Sequence, residues 1–402
     1  MIRSLTGIPN HIAPMFCFQC EQTRDQKGCT TIGVCGKEPE VASMQDLMVH
    51  MMKGISQYAH RARKLGASDR EIDRFFLASM FQTLTNVNFD PARHVEVLVE
   101  AERLLEKAKA MYEKACAEKG ITPEKIEGPA NTRLVSHTSV EELTKQGHEY
   151  GVLMRKHKFG EDVAGIQEMI VYGIKGACAY AEHAELLQKE SDEIYAKFHE
   201  IFDFLATADD SVPMEKYLDV AMQVGQLNLK VMELLDAAHT EHFGHPEPTR
   251  VRATPVAGKC ILVSGHDLHD LEMILQQTEG KGINVYTHGE MLPAHAYPGL
   301  KKYPHLKGNY GGAWQLQKIE FHNFPGPIVL TSNCLIEPRK SYKDRVFTRH
   351  NVGFAGVKHI KGNDFSEVVK MALELPGFTK DDREHYGNVG FGRHGRLTVP
   401  DK

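Results

Sequence analysis

Four of the chain's eight cysteines fall between positions 17 and 35, as Cys17-Phe-Gln-Cys20 followed by Cys29 and Cys35. Thiolates two residues apart can reach one metal or one cluster edge, and Gly28, Gly33 and Gly36 let a tight loop fold back on itself. Four thiolates suit tetrahedral zinc as well as an iron–sulfur cluster. The gaps of two, eight and five residues fit no common zinc ribbon, so iron–sulfur is the preferred reading and zinc the rival. A disulfide framework belongs to small secreted scaffolds. No secretory signal precedes these cysteines, and 402 residues suffice to bury a core without crosslinks. The other candidates are His266, Glu290 and Cys334. Each immediately follows a segment with strand character, where ligands bind in open α/β sheets. Imidazole, carboxylate and thiolate brought together there would make a mixed metal site unlike a plain structural zinc. Cys116, Cys178 and Cys260 read as small buried side chains of the core.

The elements that must position these groups fall into two kinds. Met44, Leu47, Met48, Met51, Ile55, Tyr58, Ala59 and Ala62 recur at steps of three and four, as one buried helix face requires. Ser68 and Glu71 have capping-box spacing for a following helix, and Asp90-Pro91 reads as an N-cap and first-turn proline. Thr122-Pro123 and the segment around Ser139 suggest further helix starts, and residues 166–187 and 216–238 read as bundle helices. Near His245-Pro-Glu-Pro248 the pattern changes. Strands are expected at 260–264, 283–287, 327–332 and 352–358, with helices at 268–277 and 365–373, an alternation that predicts a parallel sheet covered by helices. The expected fold is multidomain: a cysteine loop and all-α bundle domain over 15–244, then a doubly wound Rossmann-like α/β domain with a mainly parallel sheet over 258–380. Residues 1–14 read as an extension and 381–402 as a tail.

The balance of 48 basic and 53 acidic residues, with no basic block, argues against a nucleic-acid partner. No apolar run approaches the roughly 18 residues of a membrane span, so no membrane partner is expected. The cytoplasm is the expected location. Residues 1–14 contain no acid, so an organellar presequence, and with it a mitochondrion-related organelle, is the alternative.

The chain resembles the hybrid-cluster proteins, also called prismane proteins or hydroxylamine reductases. The likeness rests on Met15-Phe-Cys-Phe-Gln-Cys20 with Gly28-Cys29 and Val34-Cys35-Gly36-Lys37, and on Ile174-Lys-Gly-Ala177 with Ala179-Tyr-Ala-Glu-His183. Val263-Ser-Gly-His-Asp-Leu268, Val285-Tyr-Thr-His-Gly-Glu290, Lys307-Gly-Asn-Tyr-Gly311, Thr331-Ser-Asn-Cys334 and Ser341-Tyr-Lys-Asp-Arg345 extend it. It implies that Cys17, Cys20, Cys29 and Cys35 hold a [4Fe-4S] cluster. It also implies that His266, Glu290 and Cys334 ligate a hybrid [4Fe-2S-2O] cluster, the catalytic centre. The activity implied is reduction of hydroxylamine to ammonia and water, or of nitric oxide to nitrous oxide, with electrons from a redox donor protein. His288 and His295 are candidate proton donors. The family continues beyond position 402 with a third domain supplying further cluster ligands, absent from this sequence, so a truncated chain is expected to show a cubane signal and little turnover. The alternative is an electron-transfer or scaffold protein that binds a cluster without a catalytic centre of its own.

Overall fold

A computed structural model describes residues 13–389 of the protein, apart from Glu21 and Asp210. The expected extension up to residue 12, and the tail beyond 389, lie outside the described residues. Two compact units emerge from the contacts: residues up to 84 with 89–185 and 189–235, and residues 85–88 with 186–188 and 236 onward.

The first unit follows the cysteine loop with α1 (Pro39–Lys64), α2 (Arg70–Gln82), α3 (Pro91–Lys119), α4 (Val140–His148), α5 (Val152–Phe159), α6 (Glu161–Leu186, to residue 185), α7 (Asp192–Thr207) and α8 (Met214–Phe243, to residue 235). Helix α1 packs against α2, α3, α4 and α7. Met44, Leu47, Met48, Met51, Ile55, Ala59 and Ala62 are buried in the bundle core, so the predicted stripe faces inward. Burying each large apolar side chain stabilises the unit by about 1.5–3 kcal/mol. Asp90 caps α3, accepting from Ala92 N at 3.0 Å ahead of Pro91, and Ser139 caps α4 by accepting from Glu142 N at 3.2 Å. At α2 the cap is Asp69, which accepts from Glu71 N and Ile72 N; the carboxylate one residue later displaces the expected Ser68. Thr122-Pro123 starts no helix. The chain there is irregular until a short 3₁₀ turn over Gly128–Asn131.

The second unit contains β1 (Thr249–Arg252), β2 (Lys259–Ser264), α9 (Leu268–Thr278), β3 (Ile283–His288), α10 (Pro298–Lys301), β4 (Leu306–Asn309), α11 (Gln317–Asn323), β5 (Ile328–Leu330), β6 (Val346–Thr348), β7 (Lys358–His359), α12 (Ser366–Glu374) and β8 (Tyr386–Val389). Six strands form a parallel sheet in the order β4-β3-β2-β5-β6-β7, while β1 and β8 pair antiparallel as a separate ribbon. The chain therefore runs outward from β2 to β4, returns to the other side of β2, and runs outward again. Successive side chains alternate between faces; Ile261 and Val263 share a core with Leu271, Ile274 and Leu275 of α9 and Val368, Val369 and Ala372 of α12. The expected strand at 352–358 is irregular, with an isolated bridge at Gly353, a turn at 355–356 and strand only from Lys358, where β7 begins. Val346–Thr348 supplies that pairing instead, a three-residue buried run too short to announce itself against its polar flanks. Among the described residues, no helix is long and apolar enough to cross a membrane.

Candidate metal centres

In the cysteine loop, Cys17 and Cys29 face each other as an isolated antiparallel bridge, with N–H to carbonyl distances of 3.0 and 2.8 Å. Gly28 makes the close pass possible: at φ +141°, a Cβ there would lie 2.5 Å from the Phe16 ring. Thr23 Oγ1 donates to the Cys17 carbonyl at 3.1 Å and lies 3.8 Å from Cys29 Sγ. Lys37, 2% exposed, donates to Gln45 Oε1 at 2.7 Å and reaches to 4.0 Å from Cys17 Sγ. A buried ammonium beside thiols favours their charged, metal-binding form. Partial burial opposes ionisation of Cys29, but backbone hydrogen bonds from Arg24 and Val34 and the Thr23 hydroxyl outweigh it and bring its pKa below the ordinary thiol value. Burial dominates at Cys35 and pushes its thiol up, with Lys37 opposing.

Sulfurs sharing one tetrahedral zinc sit about 3.8 Å apart, from Zn–S bonds of about 2.3 Å. No three of the four loop sulfurs lie within 4.8 Å of one another among the described residues. The four loop sulfurs are thus not gathered as a single tetrahedral ion would require, while four thiolates remain a donor set that an iron–sulfur cluster can use. All eight cysteines are free, and Cys116, Cys178 and Cys260 are fully buried core residues, as expected.

The second constellation lies where the strand order reverses. Strand β2 has β3 on one side and β5 on the other. Loops leaving these three adjacent carboxyl ends carry His266, Glu290 and Cys334 into one crevice. Their ligand atoms lie within 4.8 Å of one another: Cys334 Sγ is 2.8 Å from Glu290 Oε2, and His266 Nε2 is 3.3 Å from the same oxygen. Metal bonds of about 2.0–2.3 Å to nitrogen, oxygen and sulfur would fit separations of this size. The hydrogen bond with His266 holds the Glu290 carboxyl down to about 2 against partial burial, with Cys334 assisting. Burial, reinforced by the Glu290 charge, raises the Cys334 thiol well above its usual range, and it donates to that carboxylate.

Local structure fixes each donor. Gly265, at φ +115°, turns the chain out of β2 where a Cβ would meet Thr331 Oγ1 at 2.6 Å. Ser332 Oγ accepts from His266 N at 2.7 Å and lies 3.4 Å from its Nδ1, leaving Nε2 facing Glu290. Cys334 occupies the left-handed region at φ 71°, a strained conformation for a side-chain-bearing residue. Gln317 Nε2 donates to its carbonyl. Asn86 donates from Nδ2 to the next carbonyl, that of Leu335, at 2.6 Å, and its own carbonyl accepts from Leu335 N at 3.0 Å. Behind the crevice, Arg349 forks onto Asp270 in the first turn of α9 with bonds of 2.6, 3.0 and 3.1 Å. His350 Nε2 lies 3.1 Å from both Asp267 and Asp270. These partners occupy the carboxylates of the neighbouring Asp267, His269 and Asp270 group, a weaker candidate for a metal.

Ser332, Gln317 and Asn86 were invisible to sequence reasoning because each acts through a contact with a residue distant in the chain. His295 is buried and bonded to Thr287 Oγ1 at 2.8 Å; burial lowers its pKa to about 4, which leaves it neutral where a proton donor would be needed. His288 is also buried, with Nδ1 3.1 Å from Ser264 Oγ and Nε2 2.9 Å from Glu320. Both rings are held by these contacts.

A family model described as Prismane/CO dehydrogenase family matches residues 15–393. A hydroxylamine reductase of Acidithiobacillus ferrooxidans is 52% identical over 392 residues, covering 96% of this chain and 70% of that protein. One from Burkholderia lata is 50% identical over the same shares. A carbon monoxide dehydrogenase structure from Thermococcus sp. AM4 aligns with 94% of this chain and 58% of its own length, at 15% identity and a TM-score of 0.35. This chain thus spans about 70% of the length of the hydroxylamine reductases it matches and little over half of the dehydrogenase. The extent of the family match and half-identity over almost the whole sequence establish that the chain belongs to the Prismane/CO dehydrogenase family.

Proposed function

We propose that the protein is an iron–sulfur oxidoreductase of the hydroxylamine reductase type. In this reading Cys17, Cys20, Cys29 and Cys35 hold a [4Fe-4S] cluster through which electrons enter, and His266, Glu290 and Cys334 contribute ligands to a hybrid [4Fe-2S-2O] cluster at which substrate is reduced. The observation that carries it is the convergence of imidazole, carboxylate and thiol from three adjacent strand ends. An electron-transfer scaffold would have no use for that convergence. The relatives named hydroxylamine reductase support the choice of substrate, with nitric oxide the second candidate.

When bound, the catalytic cluster supplies redox electrons and Lewis acidity for cleaving the N–O bond: NH2OH takes up two electrons and two protons and leaves as ammonia and water. The chain's own residues set the terms. Glu290 stays ionised throughout the neutral range and offers a hard anionic donor. Cys334 offers a soft one, whose proton must leave when a metal binds. Ser332 keeps the His266 ring turned toward both. The electron donor is a separate redox protein, and the cytoplasm is the compartment that suits exposed iron–sulfur chemistry.

The test is anaerobic purification or reconstitution followed by iron, sulfide and zinc analysis, electron paramagnetic resonance, and hydroxylamine-dependent oxidation of an artificial reductant. Iron and acid-labile sulfide are expected in wild type, with loss in Cys334→Ala of whatever hydroxylamine turnover this chain supports and loss of the loop-cluster signal in Cys17→Ser. Stoichiometric zinc in place of iron would sink the reading. Turnover unaffected by Cys334→Ala would remove the trio from the reaction.

A further inference from the structure

The helical unit encloses a cavity of about 450 Å³ between the cysteine loop and helices α1, α5 and α6. Lys53 on α1 and Lys175 on α6 line it, 7% and 6% exposed, and neither makes a hydrogen bond or ion pair among the described residues. Arg155 on α5 gives Nη2 to Glu168 but buries Nη1 with no acceptor. The carboxylates lining this space are Asp46, Glu149 and Glu168, against Lys53, Arg155, Lys158 and Lys175, so four cations meet three anions. Nearby His50 adds no charge: burial brings it to about 3, and it stacks on Tyr150 at 3.6 Å with its Nε2 2.9 Å from Thr132. His157 also lines the cavity, and Lys37 is committed to Gln45 beside Cys17.

Donors in surplus, desolvated and without acceptors, are costly unless something anionic completes them. A guanidinium edge flanked by ammonium groups matches an ion with several oxygens. A halide would leave most of the volume unfilled. Hydroxylamine, uncharged at neutral pH, has no use for the positive excess. We propose that this cavity is a binding site for a small oxyanion, held by Lys53 Nζ, Lys175 Nζ and Arg155 Nη1, separate from the strand-end trio.

The protonation of the cavity gives the site a signature. Burial, with Arg155 alongside, holds Lys53 down to about 7, and burial, with Lys37 opposing its charge, holds Lys175 down to about 8. Burial lifts Asp46 to about 7. An incoming anion favours charged ammonium groups and a neutral carboxyl, so binding takes up protons and weakens as pH rises through the lysine range.

The experiment is calorimetric titration of the iron–sulfur-loaded full chain with inorganic phosphate and with sulfate, in buffers of different ionisation enthalpy, between about pH 6 and about pH 9. One saturable site with net proton uptake is expected, its affinity falling about tenfold per pH unit above the lysine range for each proton taken up. Lys53→Gln and Arg155→Gln should each weaken binding at least about tenfold while iron content and helical circular dichroism stay unchanged. Absence of saturable binding of either anion at the acid end would overturn the proposal. So would binding without proton uptake, or undiminished affinity in a folded Lys53→Gln protein. Should neither variant fold, proton uptake by wild type decides alone.

Discussion

Ser332 carries the orientation of His266. Its hydroxyl donates to Asn333 Oδ1 at 3.2 Å, accepts from His266 N and lies 3.4 Å from His266 Nδ1, which keeps Nε2 turned toward Glu290. Residues that orient a ligating histidine are worth about 10–100-fold in metal affinity. Ser332→Ala should therefore weaken iron retention at the trio by that factor, read by competition with a chelator, while the loop cluster's spectrum stays unchanged. Unaltered retention would reduce Ser332 to a structural hydroxyl. His350 makes a second prediction at this scale. Burial lowers its pKa, but bonds to Asp267 and Asp270 outweigh that and raise it to about 10 from 6.5. A raised pKa contributes stability that is fully present below pH 6.5 and is lost as pH climbs through about 10. Urea midpoints should fall across that window in wild type and fall less in His350→Gln. The trio was legible because three metal-capable side chains each follow a strand, a rule that uses only local pattern and topology. The cavity lysines left a fainter trace. Lys53 and Lys175 interrupt apolar helix stretches at Met51-Met52-Lys53-Gly54-Ile55 and Ile174-Lys175-Gly176-Ala177, the mark of a charge carried into a core.

At the scale of elements, the start of α9 is clamped from the end of β6, where Arg349, 2% exposed, meets the fully buried Asp270. Removing one partner of a buried pair strands the other charge, at a cost of about 3–5 kcal/mol. Arg349→Met should lower unfolding free energy by that amount in denaturant titrations; a change below about 1 kcal/mol would mean water already reaches the pair. Helices were readable from apolar spacing and from caps such as Asp90 and Ser139, because those signals lie within a few residues of one another. Strand β6 was not, since three residues supply no period, and what makes Val346–Thr348 a strand is the exposed edge of β5 beside it. The same holds for residues 85–88. Their membership of the α/β unit comes from Asn86 bonding Leu335 and Val87 accepting from Gly353 N at 3.1 Å, partners some 250 positions away.

At the scale of the molecule, two hydrophobic clusters stand apart: one of helix side chains from Met44 to Val231, the other of sheet and helix residues from Phe243 to Ala372. Each has the means of a cooperative unit, so scanning calorimetry should give a van't Hoff enthalpy below the calorimetric one, and a ratio of unity would contradict separate cores. The two candidate centres also differ in how far apart in the chain their donors lie. The loop thiols come from residues 17–35, where Cys17 pairs with Cys29, though Tyr172 of α6 also bonds the Gln19 carbonyl at 3.1 Å. The trio spans 266–334 and exists only once three parallel strands have found their order. Contacts of long sequence separation form late, and synthesis proceeds from the N-terminus. In the proposed reading the topology itself would therefore stage maturation: the loop donors need no sheet, whereas the crevice must wait for the finished one.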